Sequence, residues 1–246
     1  MTTEEIQNLT LTADYHTHTL WSHGSGSIEE NVKAAVAKGL KSIAITDHSF
    51  RHWMIAISPE DAPKMRAEVE RLKAIYPIEI LLGLEANLVS MRGDLDLSEE
   101  QAKQFDILIF GSHFTAFPFT FKDWLGWWVP NVFFPTKKIR QKNTEAYIKA
   151  IERYKPKIVV HINHMVKVNC KLVAEAAAKQ GTLIELNGRR PRFNKQEIGD
   201  ILSTGAQFVI NSDAHAPENV GEFKYAKRFL KKIPIPANRI VNIRGK

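Results

Sequence analysis

Seven short apolar runs punctuate the chain, at 12–18, 42–47, 79–86, 106–112, 157–163, 182–187 and 206–212. Most are rich in Ile, Val and Leu and carry few charges, which is how strands buried on both faces read. Helical stretches lie between them, several with start and stop signals. Ser27 with Glu30 makes a capping box and Gly39 supplies the stop. Ser58, followed by Pro59, Glu60 and Asp61, opens the next helix, and Ser98 with Gln101 a third. Asn169 caps 170–180, which ends at Gly181, and Asn194 with Glu197 opens 195–204, which ends at Gly205. Repeated strand–helix units imply a parallel sheet, either a closed barrel or an open doubly wound sheet. No Gly-rich phosphate loop follows the first strand, which counts against a nucleotide-binding open sheet.

One segment breaks the alternation. Residues 114–135 hold Phe114, Phe117, Phe119, Phe121, Trp124, Trp127, Trp128, Phe133 and Phe134, too long and too aromatic for an ordinary connection. It follows the fourth strand on the side where sites form. It reads as a lid, a wall of a pocket, an oligomer contact or a satellite core.

Composition narrows the class. At 246 residues, with 44% hydrophobic and 25% charged positions, the chain can bury a substantial core and matches the size of one α/β barrel. Cys170 is its only cysteine, so an intrachain disulfide and a cysteine-thiolate zinc site are excluded. Residues 1–11 do not read as a secretory signal, and no run is long enough for a transmembrane helix, so a cytoplasmic location is expected. The net charge of +7 suits an anionic substrate. Part of it lies late, at Lys224, Lys227, Arg228, Lys231, Lys232, Arg239, Arg244 and Lys246, either a nucleic-acid surface or a solvated amphipathic helix and tail.

The histidines and carboxylates carry the chemistry. Asp14, His16 and His18 sit at i, i+2 and i+4 at the end of the first strand and can face inward together. His48 ends the second strand, Glu85 the third and His113 the fourth. His161 lies near the end of the fifth, and Asp213 and His215 end the seventh. In parallel α/β folds the carboxyl ends of the strands share one face, so these residues converge. His161 and His164 compete for one place; on a strand they face opposite ways, and Asn163 would share the face of His161, the preferred ligand. His23 follows the first strand closely enough to reach the same mouth, whereas His52 reads as a pocket or surface residue. Neutral imidazole and carboxylate suit zinc, manganese or iron, and nine ligands are too many for one ion. Two or three divalent ions bridged by a carboxylate would use them all.

As an ordered set, Asp14-Tyr15-His16-Thr17-His18-Thr19, Ile45-Thr46-Asp47-His48, Gly83-Leu84-Glu85, Gly111-Ser112-His113, His161 and Asn211-Ser212-Asp213-Ala214-His215 resemble the polymerase and histidinol phosphatase (PHP) superfamily, over residues 13–223. The resemblance implies a distorted seven-stranded (β/α)7 TIM-like barrel with a trinuclear metal centre, and 1–246 as one such domain with an aromatic-rich insertion at 114–135. It implies His16, His18, Glu85 and Asp213 as ligands of a first ion, His23, His48 and His215 of a second, and Glu85 (bridging), His113 and His161 of a third. Glu85 and Asp213 stand as the catalytic carboxylates. Ser49 departs from the glycine or acid that many members carry after this histidine, and the insertion has no counterpart among general family features.

The implied chemistry is hydrolysis of phosphate esters. Metal ions lower the pKa of bound water towards about 7, and a hydroxide held between two of them attacks phosphorus in line. Arg51, Arg189, Arg190 and Arg192 lie in loops at the same mouth and are candidate phosphate contacts. Glu185 and Asn187 are expected to orient ligands or substrate by hydrogen bonds. His52 or a metal-bound water is the candidate general acid. A small phosphate ester is the expected partner, with nucleic acid as a second possibility, no membrane partner, and an oligomer possible through the aromatic segment. The rivals are a barrel amidohydrolase cleaving C–N bonds, a 3′–5′ exonuclease-like phosphodiesterase, and a barrel that has lost chemistry. The first normally needs a lysine or its equivalent on a middle strand, where this chain has His113; the last should have lost ligands, and all nine are here.

Overall fold

The computed structural model describes residues 1–244. Seven strands, β1 (Ala13–Asp14), β2 (Ser42–Ile45), β3 (Glu79–Asn87), β4 (Ile107–Gly111), β5 (Ile158–Val159), β6 (Leu183–Asn187) and β7 (Phe208–Asn211), run parallel in chain order. The seam between β7 and β1 is joined by a bridge, Thr17 to Ala214, rather than by a ladder. There the His18 N–H donates to Ala214 O at 2.8 Å, the Ser212 N–H to Asp14 Oδ1 at 3.0 Å, and the Tyr15 N–H to Asn211 Oδ1 at 3.0 Å. Side chains thus satisfy backbone donors that a regular barrel would pair strand to strand, and the result is the distorted (β/α)7 barrel expected. Thr10–Leu11 and Ile243–Arg244 form a separate antiparallel pair.

Strand parity explains the layering. Ile43, Ile45, Leu84, Phe110, Ile184, Leu186, Phe208 and Ile210 join the main core with the helices, while Ala44, Ile107, Ile109, Ile158, Leu183 and Val209 form a second cluster. Side chains alternate faces along a strand, so the second set is the barrel interior. Its rows begin apolar and end polar: Ile109, Gly111, His113 on one strand; Leu183, Glu185, Asn187 on another; Val209, Asn211, Asp213 on a third. Polar groups therefore collect at the carboxyl mouth with apolar layers beneath them.

Two apolar runs yield shorter strands than expected. Beyond Asp14 and Val159 the backbone leaves the ladder, and His161 (φ 33°) and Asn163 (φ 64°) take left-handed conformations. Such conformations are costly for non-glycine residues and cluster at functional sites. Helix capping at Ser27, Ser98, Asn169 and Asn194 is as expected. Ser58 instead closes a turn, its N–H and hydroxyl donating to Asp61 Oδ2 at 3.1 and 2.8 Å, and the helix begins at Ala62 with Pro63 in its first turn.

The aromatic segment coils into three abutting helical pieces, Phe121–Asp123, a π-helical turn Trp124–Trp128 and Val129–Phe133, before the long helix Lys137–Tyr154. Trp127 is buried in the main core. Arg92 clamps the buried Asp123 with hydrogen bonds of 2.6 and 3.1 Å, and Trp128 Nε1 donates to Phe114 O at 2.7 Å. Part of the segment is thus a satellite core fastened to the barrel. The late basic run is mostly the helix Lys224–Lys232, which buries Ala226 and Leu230 and turns its lysines outward, as a solvated amphipathic helix does; Lys246 lies outside the described residues. Among those residues no helix is long and apolar enough to cross a membrane.

Candidate metal centre

Glu85 is the hub of the mouth. It lies near the carboxyl end of β3 with its side chain inside the barrel and is 1% exposed. Its two oxygens serve different neighbours. Oε2 lies 3.5 Å from His16 Nε2, 3.5 Å from His18 Nε2 and 2.9 Å from His48 Nδ1. Oε1 lies 2.6 Å from His161 Nε2 and 3.8 Å from His113 Nε2. Asp213, held at φ 55° just past β7, brings Oδ1 to 3.7 Å from His16 Nε2 and 3.6 Å from His18 Nε2. His23, the most exposed of the set, stands with its ring centroid 4.8 Å from that of His48 and 4.2 Å from that of His215.

Donor atoms come together within ligand range in overlapping groups. His16, His18 and Glu85 form one, and His18, Asp213 and His215 another. His18, His23 and His48 form a third, and Glu85, His113 and His161 a fourth. All nine sequence-predicted ligands are thus gathered at one place. A fifth group joins His48 and His113 to His52. His52, expected as a pocket or surface residue, lines the same cleft.

These groups fit divalent cations. His16 Nε2, His18 Nδ1 and His48 Nδ1 are buried without a hydrogen-bond partner, a state that costs free energy unless an electrophile uses the lone pair. Protonation states agree. Burial and the neighbouring His18, His48 and His215 push His23 down to about 3, and burial chiefly holds His18, His48 and His113 below the usual imidazole range. Burial works against ionisation of Glu85 and Asp213, but the surrounding imidazoles outweigh it and hold both carboxyls well below their usual range. Burial opposes a charge on His16, yet Glu185, Glu85 and Asp213 together lift it well above the ordinary value.

A second layer fixes the rings. Glu185 Oε1 accepts from His16 Nδ1 at 2.8 Å, and its Oε2 accepts the His161 N–H at 2.9 Å. His113 Nδ1 donates to Asn87 Oδ1 at 2.7 Å, and Asn87 Nδ2 donates to Asp96 Oδ2 at 2.9 Å. Each bond presents the opposite nitrogen to Glu85. Asp96 and Asn87 escaped sequence reasoning because Asp96 reaches the site from a loop with no motif of its own. Asp47 accepts the Thr19 N–H at 2.7 Å and the Thr19 hydroxyl at 2.6 Å, pinning the turn between His18 and His23. Gly111 leaves the space His161 needs: a Cβ there would collide with the imidazole, 2.9 Å from Nδ1.

Several expectations are corrected. Asp14 does not face the cluster with His16 and His18; its carboxylate accepts from the Ser212 hydroxyl and from the Gly221 N–H at 2.8 Å, because the strand breaks after it. Asn163 does not share the face of His161. Its left-handed backbone turns it to Cys170 Sγ and Glu197 Oε1, at 3.1 and 2.7 Å. His164 stays at the rim, 5.7 Å ring to ring from His161. Arg51 does not reach the cleft: Nε and Nη2 donate to the carbonyls of Phe117 and Pro118 at 3.0 and 3.2 Å, and its guanidinium lies over the Phe119 ring. Burial and the adjacent His48 push His52 down to about 4.

The centre opens into a cleft of about 450 Å³ bordered by Arg189, Arg190, Arg192, His164, Thr115 and Ile55. Asn187 Oδ1 accepts the N–H groups of Arg189 and Arg190 at 3.1 and 2.8 Å, while its Nδ2 donates to Asp213 Oδ2 at 3.2 Å. One amide thus couples the arginine loop to the centre. Among the described residues none of the three arginines is held in an ion pair with a carboxylate.

Known proteins share this design. The PHP domain family matches residues 14–189; Asp213 and His215 lie beyond that stretch, and the fold returns them to it. A probable phosphatase of Caldanaerobacter subterraneus subsp. tengcongensis is 30% identical, over 95% of this chain and 88% of its own. The probable phosphatase YcdX of Escherichia coli O139:H28 is 28% identical, over 94% and 89%. The crystal structure of histidinol phosphate phosphatase from Lactococcus lactis, complexed with zinc, L-histidinol and phosphate, superimposes with a TM-score of 0.64 at 18% identity, over 90% of this chain and 92% of that one. The match over most of its length, with relatives of nearly equal extent, establishes that the chain belongs to the PHP domain family.

Proposed function

We propose that this metal-dependent phosphoesterase hydrolyses small phosphate monoesters at a trinuclear centre. His16, His18, Glu85 and Asp213 would hold one ion, His23, His48 and His215 a second, and Glu85, His113 and His161 a third, with zinc, manganese or iron as the candidates. The observation that carries this reading is the division of Glu85: Oε2 turned to His16, His18 and His48, Oε1 to His161 and His113. A carboxylate shared in this way could serve two cations, one through each oxygen. When bound, such ions supply Lewis acidity that activates water at neutral pH and neutralises charge on the phosphoryl oxygens.

The chain's own residues do the rest. Glu85 and Asp213, whose carboxyls the surrounding imidazoles hold below their usual range, would act as ligands. Arg189, Arg190 and Arg192 border the cleft and supply guanidinium donors for a phosphate. Glu185 keeps His16 and the His161 backbone in place, and Asn187 keeps the arginine loop in register with Asp213. The cleft is within the size of a small-molecule site and its lining is dominated by charge and imidazole, which suits a compact anionic ester. The zinc, histidinol and phosphate named with the Lactococcus lactis structure support a small ester as substrate class. The reading places the chain in the cytoplasm, where its single thiol stays reduced.

Initial rates on p-nitrophenyl phosphate and bis(p-nitrophenyl) phosphate test the monoester assignment. The monoester should be cleaved faster by more than about tenfold, the worth of one charge-assisted contact that the diester lacks. Equal or inverted rates, with salt-sensitive binding to single-stranded nucleic acid, would favour the exonuclease-like reading.

A further inference from the structure

The metal centre does not account for the outward side of the aromatic insertion. Phe121 is 72% exposed, and Phe133 and Phe134 are each 62% exposed. They belong to one continuous ladder of rings: Phe121 on Trp124 at 5.7 Å, Trp124 on Trp128 at 5.5 Å, Trp128 on Phe133 at 6.1 Å, and Phe133 on Phe134 at 6.4 Å. Contiguous apolar surface of this kind marks an interaction site.

The charges around the ladder say what it meets. Lys122, Lys137, Lys138 and Lys142 are all exposed. Between Phe114 and Thr144 the only carboxylate is Asp123, and it is buried and neutralised by Arg92. An aromatic stripe flanked by four exposed lysines, with Glu145 the first exposed acid beyond it, is the composition of a segment lying in the headgroup region of an anionic bilayer. The contact is peripheral, because no described helix can span a bilayer.

The ladder is also joined to the cleft. Trp128 Nε1 donates to Phe114 O at 2.7 Å, and Phe114 directly precedes Thr115. Thr115 itself borders the cleft. We propose that Phe121, Phe133 and Phe134, with Lys137 and Lys138, seat the enzyme on an anionic phospholipid surface and bring the metal mouth to that surface. This docking does not depend on which ester is hydrolysed.

The test is co-sedimentation of the full chain with vesicles of phosphatidylglycerol in phosphatidylcholine and with phosphatidylcholine alone, together with tryptophan emission and light scattering. The protein should pellet with the anionic vesicles only, with a blue shift from Trp124 and Trp128, and added salt should release it. A Phe121→Ser/Phe133→Ser/Phe134→Ser variant should lose binding. Lys137→Glu/Lys138→Glu should weaken it by roughly tenfold or more. Both should keep the wild-type rate on a soluble ester, which shows that they fold. Equal pelleting with neutral vesicles, or unchanged binding by either variant, would overturn the proposal. So would a wild-type dimer that the serine variant converts to monomer while neither pellets, since the ladder would then be a self-association face.

Discussion

Glu185 Oε1 accepts a 2.8 Å hydrogen bond from His16 Nδ1, and neither side chain has measurable contact with solvent. That bond selects the tautomer of His16 that aims Nε2 at Glu85 and Asp213. Glu185→Gln keeps the shape and removes the charge that makes His16 a strong ligand. Metal content measured after dialysis should fall, and kcat/KM should drop by roughly 10–100-fold. Full occupancy with unchanged kinetics would mean that the bond serves only the fold.

Gly111→Ala tests how His161 reaches the centre. The new Cβ would occupy space taken by the imidazole, so the ring must retreat from Glu85. The variant should bind fewer ions per chain and lose activity, while Gly199→Ala, in the helix Lys195–Leu202 with nothing within 4 Å and no left-handed backbone, should bind the full complement. Parallel metal analysis of the two variants checks this.

Much of this arrangement can be read from the chain, and the exceptions have a common cause. Strand ends announce themselves by apolar runs, and the parity of His16 and His18 or Asp213 and His215 follows from the period of a strand. Where the backbone leaves that period, the inference fails. Asp14 was placed with His16 but turns to Ser212, and Asn163 was placed with His161 but turns to Cys170, since both lie where left-handed or broken backbone resets the face. Arg51 reads from its position as a phosphate contact; only the folded insertion shows its guanidinium already committed to Phe117 and Pro118.

Arg189, Arg190 and Arg192 should divide their effects between binding and turnover. Each Ala variant removes a charge-assisted contact worth roughly 10–100-fold in kcat/KM if it touches the phosphate. Inorganic phosphate should inhibit such a variant more weakly by a similar factor. A variant with both constants unchanged would remove that arginine from the site.

Cys170 is buried, and burial pushes its thiol up to about 12. The thiolate is the reactive form, so a disulfide reagent at pH 8 should modify the unfolded chain quickly and the folded chain negligibly. The folded state holds this proton after the unfolded state, with a thiol pKa of about 8.5, has begun to release it. Its contribution to stability is therefore present below about 8.5 and declines as pH rises towards 12. Rapid labelling of native protein would contradict the burial.

Ion binding should also stabilise the fold, because it pairs buried nitrogens and carboxylates that otherwise face one another. At a free metal concentration of about 100 times Kd the gain is about 2.7 kcal/mol per site. The melting temperature of chelator-treated protein should rise by roughly 5–10 °C on adding zinc or manganese. No shift with either metal would separate the fold from the ions.

The most direct test of the account is phosphate release from p-nitrophenyl phosphate by protein stripped with chelator, then reloaded, with bound metal counted in the same samples. The account predicts negligible rates after stripping and recovery that follows two to three ions per chain. His16→Ala and Asp213→Ala should remain inactive at any metal concentration. Hydrolysis that persists in the stripped protein or in either variant, or activity confined to amide substrates, would contradict it.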